Sequence, residues 1–305
     1  PLSYGNPRWL PFEQRTTAMS PPTRFGAKYR NAILQSPNID LFTNANVVDL
    51  HLEQSEGESP RMDYAVVSNY RKEKSYVRAR RFVLALGSIE NARALLNSNK
   101  QIPGGIGNHS GFLGQCYMEH LNVQFGRFVS GTGVPFDPSG VGLGPTNQTL
   151  RTLGIGNGIL SLNTSSTPIE SGRLAPVRRA VRKTVCEVDA VREFARKFKD
   201  FTCAGDGVIS SLIEQAPDRS NSVTLGTESD EFGLKRPHLH WTLSDLDRRT
   251  VRSLGFELAK TFVKYDFGRV QLNEFITNST KEIEVWPHAH QMGTTRMSSQ
   301  PKYGV

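Results

Sequence analysis

Short alternating segments dominate the first hundred positions. From Ile39 to Leu52 apolar and polar residues alternate on both sides of a break at 43–46, which predicts strand, turn, strand. Asp63–Ser68 and Tyr76–Arg80 continue in strand register. Arg81–Gly87 differs, being an unbroken apolar run that ends in glycine and reads as a buried strand. It leads at once into Ser88–Leu96, where helical spacing and Ser88 as N-cap predict a helix. Before these elements the first thirty residues read as irregular, apart from a helix around Ala27–Leu34.

Beyond residue 100 the pattern loosens. Glycines crowd residues 104–158, predicting a long loop-rich region with a strand at Leu121–Val129. Val208–Glu214 and Ser222–Leu225 read as an antiparallel pair across 215–221, with Leu239–Leu243 as a third strand. A helix is expected from Ser244, with Asp247 completing its cap, to about Tyr265. No internal repeat is visible.

At 305 residues the chain predicts one large or two intertwined domains with ample core volume. No apolar run is long enough to span a membrane, and the first residues lack signal-peptide layout. The net charge of +8 raises the question of nucleic acid. Much of the excess lies in Arg173, Arg178, Arg179, Arg182, Lys183, Arg192, Arg196, Lys197 and Lys199, interleaved with Val177, Val181, Val185, Val188 and Val191 at helical spacing. That pattern describes a solvated basic helix face, without the aromatic interleaving of single-strand binders. No nucleic-acid partner is expected. Cys116, Cys186 and Cys203 fit neither a disulfide framework nor a zinc site. The sequons at Asn108, Asn147, Asn163 and Asn278 matter only in a secreted eukaryotic setting, so the compartment stays open.

Two places carry candidate chemistry. At Gly87 a glycine ends an apolar run just before a helix, a junction that lets backbone approach a ligand and offers N–H groups to phosphate oxygens. Taken alone, the junction is better explained by close packing. The block His290-Gln-Met-Gly-Thr-Thr-Arg-Met297 joins a titratable group, a bend and a fixed positive charge. A neutral imidazole suits removal of a hydroxyl proton. A different chemistry is open too: His238-x-His240 and His288-x-His290, with Glu282 or Glu284, would make a metal site if the fold brought the pairs together.

Four blocks in order resemble the glucose–methanol–choline (GMC) family of flavin-dependent oxidoreductases. They are Phe82–Leu96, Gly114–His120, Leu212–Pro217 with Ser222–Leu225, and His290–Met297. The last is similar in wording to the branch of sugar and polyol dehydrogenases and pyranose oxidases. The resemblance implies an α/β and α+β fold: part of an FAD-binding Rossmann-like domain interleaved with a substrate domain on an antiparallel sheet. It maps residues 1–98 and 286–305 to the flavin domain and 99–285 to the substrate domain. It implies FAD as cofactor, with Val47 at the adenine and Ala85 and Gly87 beside the dinucleotide. It implies His290 as the base that takes the proton of an alcohol or sugar while hydride passes to flavin N5, with oxygen, a quinone or a cytochrome subunit as electron acceptor. Arg296 would anchor the turn, and Glu119-His120 would tie a loop. No metal is implied.

The pattern is also incomplete. The family's N-terminal Gly-x-Gly-x-x-Gly fingerprint is missing, and the second catalytic residue, a His or Asn, would lie past Val305. The chain therefore reads as an internal piece of a longer protein, inactive by itself. A non-catalytic binding protein with a decayed flavin site is the alternative.

Overall fold

The computed structural model describes residues 11–16, 21–53, 60–130, 141–164, 175–195 and 206–305. In chain order its elements begin with β1 (Phe12–Thr16), α1 (Phe25–Gln35), β2 (Asn46–Glu53), β3 (Arg61–Ser68), β4 (Lys74–Arg78) and α2 (Ser88–Asn97). The middle holds β5 (Leu121–Ser130), β6 (Val141–Pro145), α3 (Asn147–Leu153), β7 (Gly158–Thr164), α4 (Ala175–Glu187), α5 (Asp189–Ala195) and β8 (Asp206–Ile213). The last third holds β9 (Ser222–Ser229), β10 (Lys235–His240), α6 (Asp245–Lys264), β11 (Gly268–Leu272) and α7 (Glu274–Thr277), with a final 3-10 turn at Pro301–Tyr303. The fold is mixed α/β, and every ladder among the described residues is antiparallel.

The chain divides into two compact units, each assembled from three stretches. The first unit takes Pro1–Met19, His120–Gln215 and Leu243–His288. Its centre is a six-stranded sheet in the order β1-β6-β7-β8-β5-β11. Strand β5 shows how sequence sets its core face. Leu121, Val123 and Phe125 are buried, and a bulge between Gln124 and Gly126 then shifts the alternation so that Phe128 is buried next. Helix α6 buries Val251, Leu254, Leu258 and Phe262, a stripe at helical spacing. Burial of side chains of this size stabilises by about 1.5–3 kcal/mol each. The helix starts where the sequence predicts. Ser244 Oγ accepts the Asp247 N–H at 3.1 Å, and Asp247 Oδ2 accepts the Ser244 N–H at 2.8 Å, a reciprocal capping box.

The second unit takes Ser20–Glu119, Ala216–Thr242 and Ala289–Val305. It holds the β2-β3-β4 meander, the β9–β10 hairpin and helix α2, which packs against β2, β9 and β10. Leu50, Leu52, Ala65 and Ile106 form one apolar cluster, joined by Val47, Phe82 and Leu84. Ala92, Leu113, Tyr117 and Val223 form another. Arg93 of α2 ties the helix to the hairpin through Asp230, and it also pairs with Glu90. Burial pushes Asp230 up, but its hydrogen bonds from Arg93 and from the Leu234 and Phe232 N–H groups outweigh this and hold the carboxyl below its ordinary value.

Several sequence expectations need correction. Phe12–Thr16 lies in the stretch expected to be irregular, yet it pairs with β6 and buries Phe12. The expected pairing of Val208–Glu214 with Ser222–Leu225 does not form. Strand β8 pairs with β5 and β7, whereas β9 pairs with β10, because 215–221 carries the chain from one unit to the other and is not a hairpin turn. The Arg81–Gly87 run has no ladder partner among the described residues. Its side chains alternate only over 82–84, with Phe82 and Leu84 against the Leu50 cluster and Val83 exposed, and from Ala85 onward the run is exposed, Leu86 included. The single basic helix is two helices, α4 and α5, and Val177, Val181, Val188 and Val191 are exposed. Arg173, Arg196, Lys197 and Lys199 lie outside the described residues. Cys186 is disulfide-bonded, against the expectation of no disulfide, while Cys116 is free and buried. No described helix is long and apolar enough to cross a membrane.

Candidate active site

The His290 block lies along the segment 114–119 within the second unit. Gly114 donates its N–H to the Thr294 carbonyl at 2.8 Å. Met118 and Met292 exchange two backbone hydrogen bonds, at 2.9 and 3.0 Å. At the far end the buried Glu119 carboxylate accepts the His290 N–H at 2.9 Å. Three rungs thus hold five residues, while the His290 side chain itself is exposed.

Two residues of the block explain its wording. Gly293 has φ +100°, and a Cβ placed there would lie 1.9 Å from the Cys116 carbonyl oxygen. Only glycine lets the two backbones approach so closely. Thr294 is fully buried, with its Oγ1 2.8 Å from Ser88 Oγ and donating to the Ser88 carbonyl at 2.7 Å. The sequence pattern gives Ser88 the N-cap role, but Gly87 holds that position and the Ser88 hydroxyl serves Thr294. A hydroxyl inside the first turn of a helix is free for such a contact, since capping needs a residue just outside it.

Arg296 reaches the segment 112–116. Its Nη1 approaches Cys116 Sγ at 3.6 Å, and its guanidinium stands 5.6 Å from the Phe112 ring centre. The carbonyl of Arg296 accepts the Val305 N–H at 3.0 Å. These contacts suit an anchor for the turn. Beside the ladder, burial raises the Tyr117 hydroxyl, and the Glu119 charge adds to it, up to about 12.

The candidate cofactor positions fall in the same unit. Ala85 and Gly87 are exposed at the N-terminus of α2. Gly87 has φ +85°, and open space lies where its Cβ would be. Asn91 braces this turn, its Oδ1 accepting the Leu86 N–H at 3.0 Å and its own N–H donating to the Gly87 carbonyl at 2.9 Å. Val47 pairs with Val67 in the meander and packs against the Leu50 cluster. A separate cleft of about 830 Å³, lined by Arg61, Asp63, Arg78 and Arg81 among others, includes none of these positions and not His290. The pair His238 and His240 is exposed on β10. Among the described residues no group of three or more His, Cys, Asp or Glu side chains is placed to hold a metal ion, so the His-x-His reading has no geometry behind it.

Residues 217–305 match the family model described as GMC oxidoreductase. The matched stretch carries β9, β10, α6, β11, α7 and the His290 block. No curated protein matches the chain. Among solved structures the chain is similar to pyridoxine 4-oxidase from Mesorbium loti, with a TM-score of 0.53 and 17% identity. The likeness covers 89% of this chain and 50% of that one, so the chain spans about half the length of the structure it matches. At this identity the likeness speaks for the fold: mixed α/β with an antiparallel sheet, as the sequence implied.

Glu119 acquires a partner that spacing could not reveal. The sequence marks Glu119-His120 as loop-tying, but the separation of 171 positions from Glu119 to His290 hides which loop is tied. Ala289, at φ +58°, is also invisible in the sequence, because an alanine gives no sign of a left-handed backbone.

Proposed function

We propose that this chain supplies the base and part of the cofactor site of a flavin-dependent oxidoreductase acting on an alcohol. The observation that carries the reading is an exposed histidine on a backbone clamped at Glu119, Met118 and Gly114, inside the stretch that matches the GMC model. Such a clamp is what a proton-abstracting group needs, since its reach and direction must be set before substrate arrives. Under this reading the His290 imidazole takes the hydroxyl proton of the bound alcohol, and Arg296 keeps the turn in place.

The residues present fit FAD. The Ala85–Gly87 turn offers accessible backbone, a left-handed glycine and the first-turn N–H groups of α2, and Val47 lies in the strand that shares its apolar cluster with Leu84. When bound, the flavin supplies the two-electron acceptor that no side chain offers. The wording of the His290 block favours a sugar or polyol as the alcohol, with oxygen, a quinone or a cytochrome subunit as the final acceptor. In the intact flavoprotein, His290→Ala should keep the yellow flavin absorbance and lower turnover by about 10²–10⁴-fold, the usual size of a lost general base. Unchanged turnover would remove His290 from the mechanism.

A further inference from the structure

We infer that Glu119 is the positioning residue of His290, acting through the backbone of the segment 289–292. The inference rests on the reading of His290 as the base, and three observations support it.

Glu119 is 3% exposed. A carboxylate is rarely buried to that degree without a task, because removing it from water is costly unless donors compensate. One compensating donor is the His290 N–H, at 2.9 Å from Oε1. The neighbouring backbone shows why a side chain is used here. Met118 and Met292 form a two-way backbone pair, but at Ala289 the chain leaves extended geometry with φ +58°. A left-handed non-glycine residue costs free energy and persists only where its surroundings hold it. The carboxylate of Glu119 is the group seen holding it, on the N–H that directly follows Ala289.

Together these fix the direction from which the His290 side chain leaves the backbone. Met292 is pinned on one side and His290 on the other, so the peptide planes between them have little freedom. Glu119 does not touch the reacting atoms under this arrangement. It sets the geometry of the residue that does.

The test combines a readout that needs no flavin with one that does. Hydrogen–deuterium exchange over 288–294 should be as slow in Glu119→Gln as in the wild type, since the amide oxygen still accepts the His290 N–H. In Glu119→Ala it should quicken by about 10–100-fold, the range for losing a hydrogen bond to a charged group. Glu119→Asp, one methylene shorter and unable to reach, should also quicken and serves if the alanine variant does not fold. In the intact flavoprotein, kcat should fall by about 100-fold in the alanine or aspartate variant with KM within a few-fold, and recover in the glutamine variant. Unchanged exchange in both the Ala and Asp variants would overturn the inference, as would equal loss of kcat in the Gln and Ala variants. His290→Ala is measured alongside. Full activity there defeats the reading of His290 as base, whereas inactive His290→Ala with fully active Glu119→Ala defeats only the role given to Glu119.

Discussion

Replacing Gly293 with alanine tests the close approach on which the His290 block depends. Two costs are expected. The first is conformational, because φ +100° is a region an alanine adopts only with strain, about 1–2 kcal/mol. The second is steric. The new Cβ would sit 1.9 Å from the Cys116 carbonyl oxygen, 3.0 Å from its carbon and 3.1 Å from Met118 Cε. The obstructing atom is backbone, so relief requires the segments 114–119 and 289–294 to separate. Separation breaks the Gly114–Thr294 bond and both Met118–Met292 bonds, each worth about 1 kcal/mol net. The total is roughly 4–5 kcal/mol, which for a unit of this size lowers Tm by about 8–20 °C. Gly87→Ala is the matched control. There φ is +85°, yet nothing lies within 4 Å of the new Cβ. Its cost should be about 1 kcal/mol or less, the backbone strain being partly offset by the reduced freedom of the unfolded chain. Both variants would be compared by calorimetry and near-UV circular dichroism. Equal Tm losses would show that the contact between Gly293 and Cys116 carries no energetic weight, and the steric argument would fail.

Ser244→Ala should cost about 1 kcal/mol by removing one half of the capping box of α6, read as a lower denaturant midpoint at unchanged m. A larger loss accompanied by a change in m would mean that more than the cap was disturbed. Tyr117 gives a pH prediction. Its hydroxyl is raised from 10.0 to about 12 in the folded state, first by burial and then by Glu119. The unfolded chain therefore releases the proton first. The stability tied to the neutral phenol is complete below pH 10 and is lost as pH rises towards 12. The loss is on the order of 2–3 kcal/mol and should vanish in Tyr117→Phe.

The sequence revealed most where one residue determines its own surroundings. Ser244 and Asp247 form the predicted box because both partners sit within one helical turn. The apolar stripe of α6 and the alternation in β2 and β5 were legible for the same reason. Pairing was harder to read. Strand β8 takes partners from β5 and β7 at separations that no local turn signal encodes. The run Arg81–Gly87 has strand-like faces only over 82–84, and a strand is defined by a neighbour's hydrogen bonds, which the pattern of side chains does not supply. The candidate site follows the same rule. The motif pointed to His290, and the need for Gly293 could be suspected from the bend. That Glu119, Met118 and Ser88 stand against this motif is a consequence of tertiary packing alone.

The division of each unit among three stretches also bears on how the molecule is made. Six alternating stretches mean that the chain passes between the units five times. The second unit cannot complete its ladder until 289–305 has left the ribosome, since Ser88 and Thr294 are 206 residues apart. Contacts of that separation close slowly because the intervening chain must lose its freedom before they form. During synthesis the Gly114 N–H and the Met118 N–H and C=O, whose partners are Thr294 and Met292, therefore wait uncovered. In that interval the nascent chain is most open to chaperones and most prone to pair with the wrong strand.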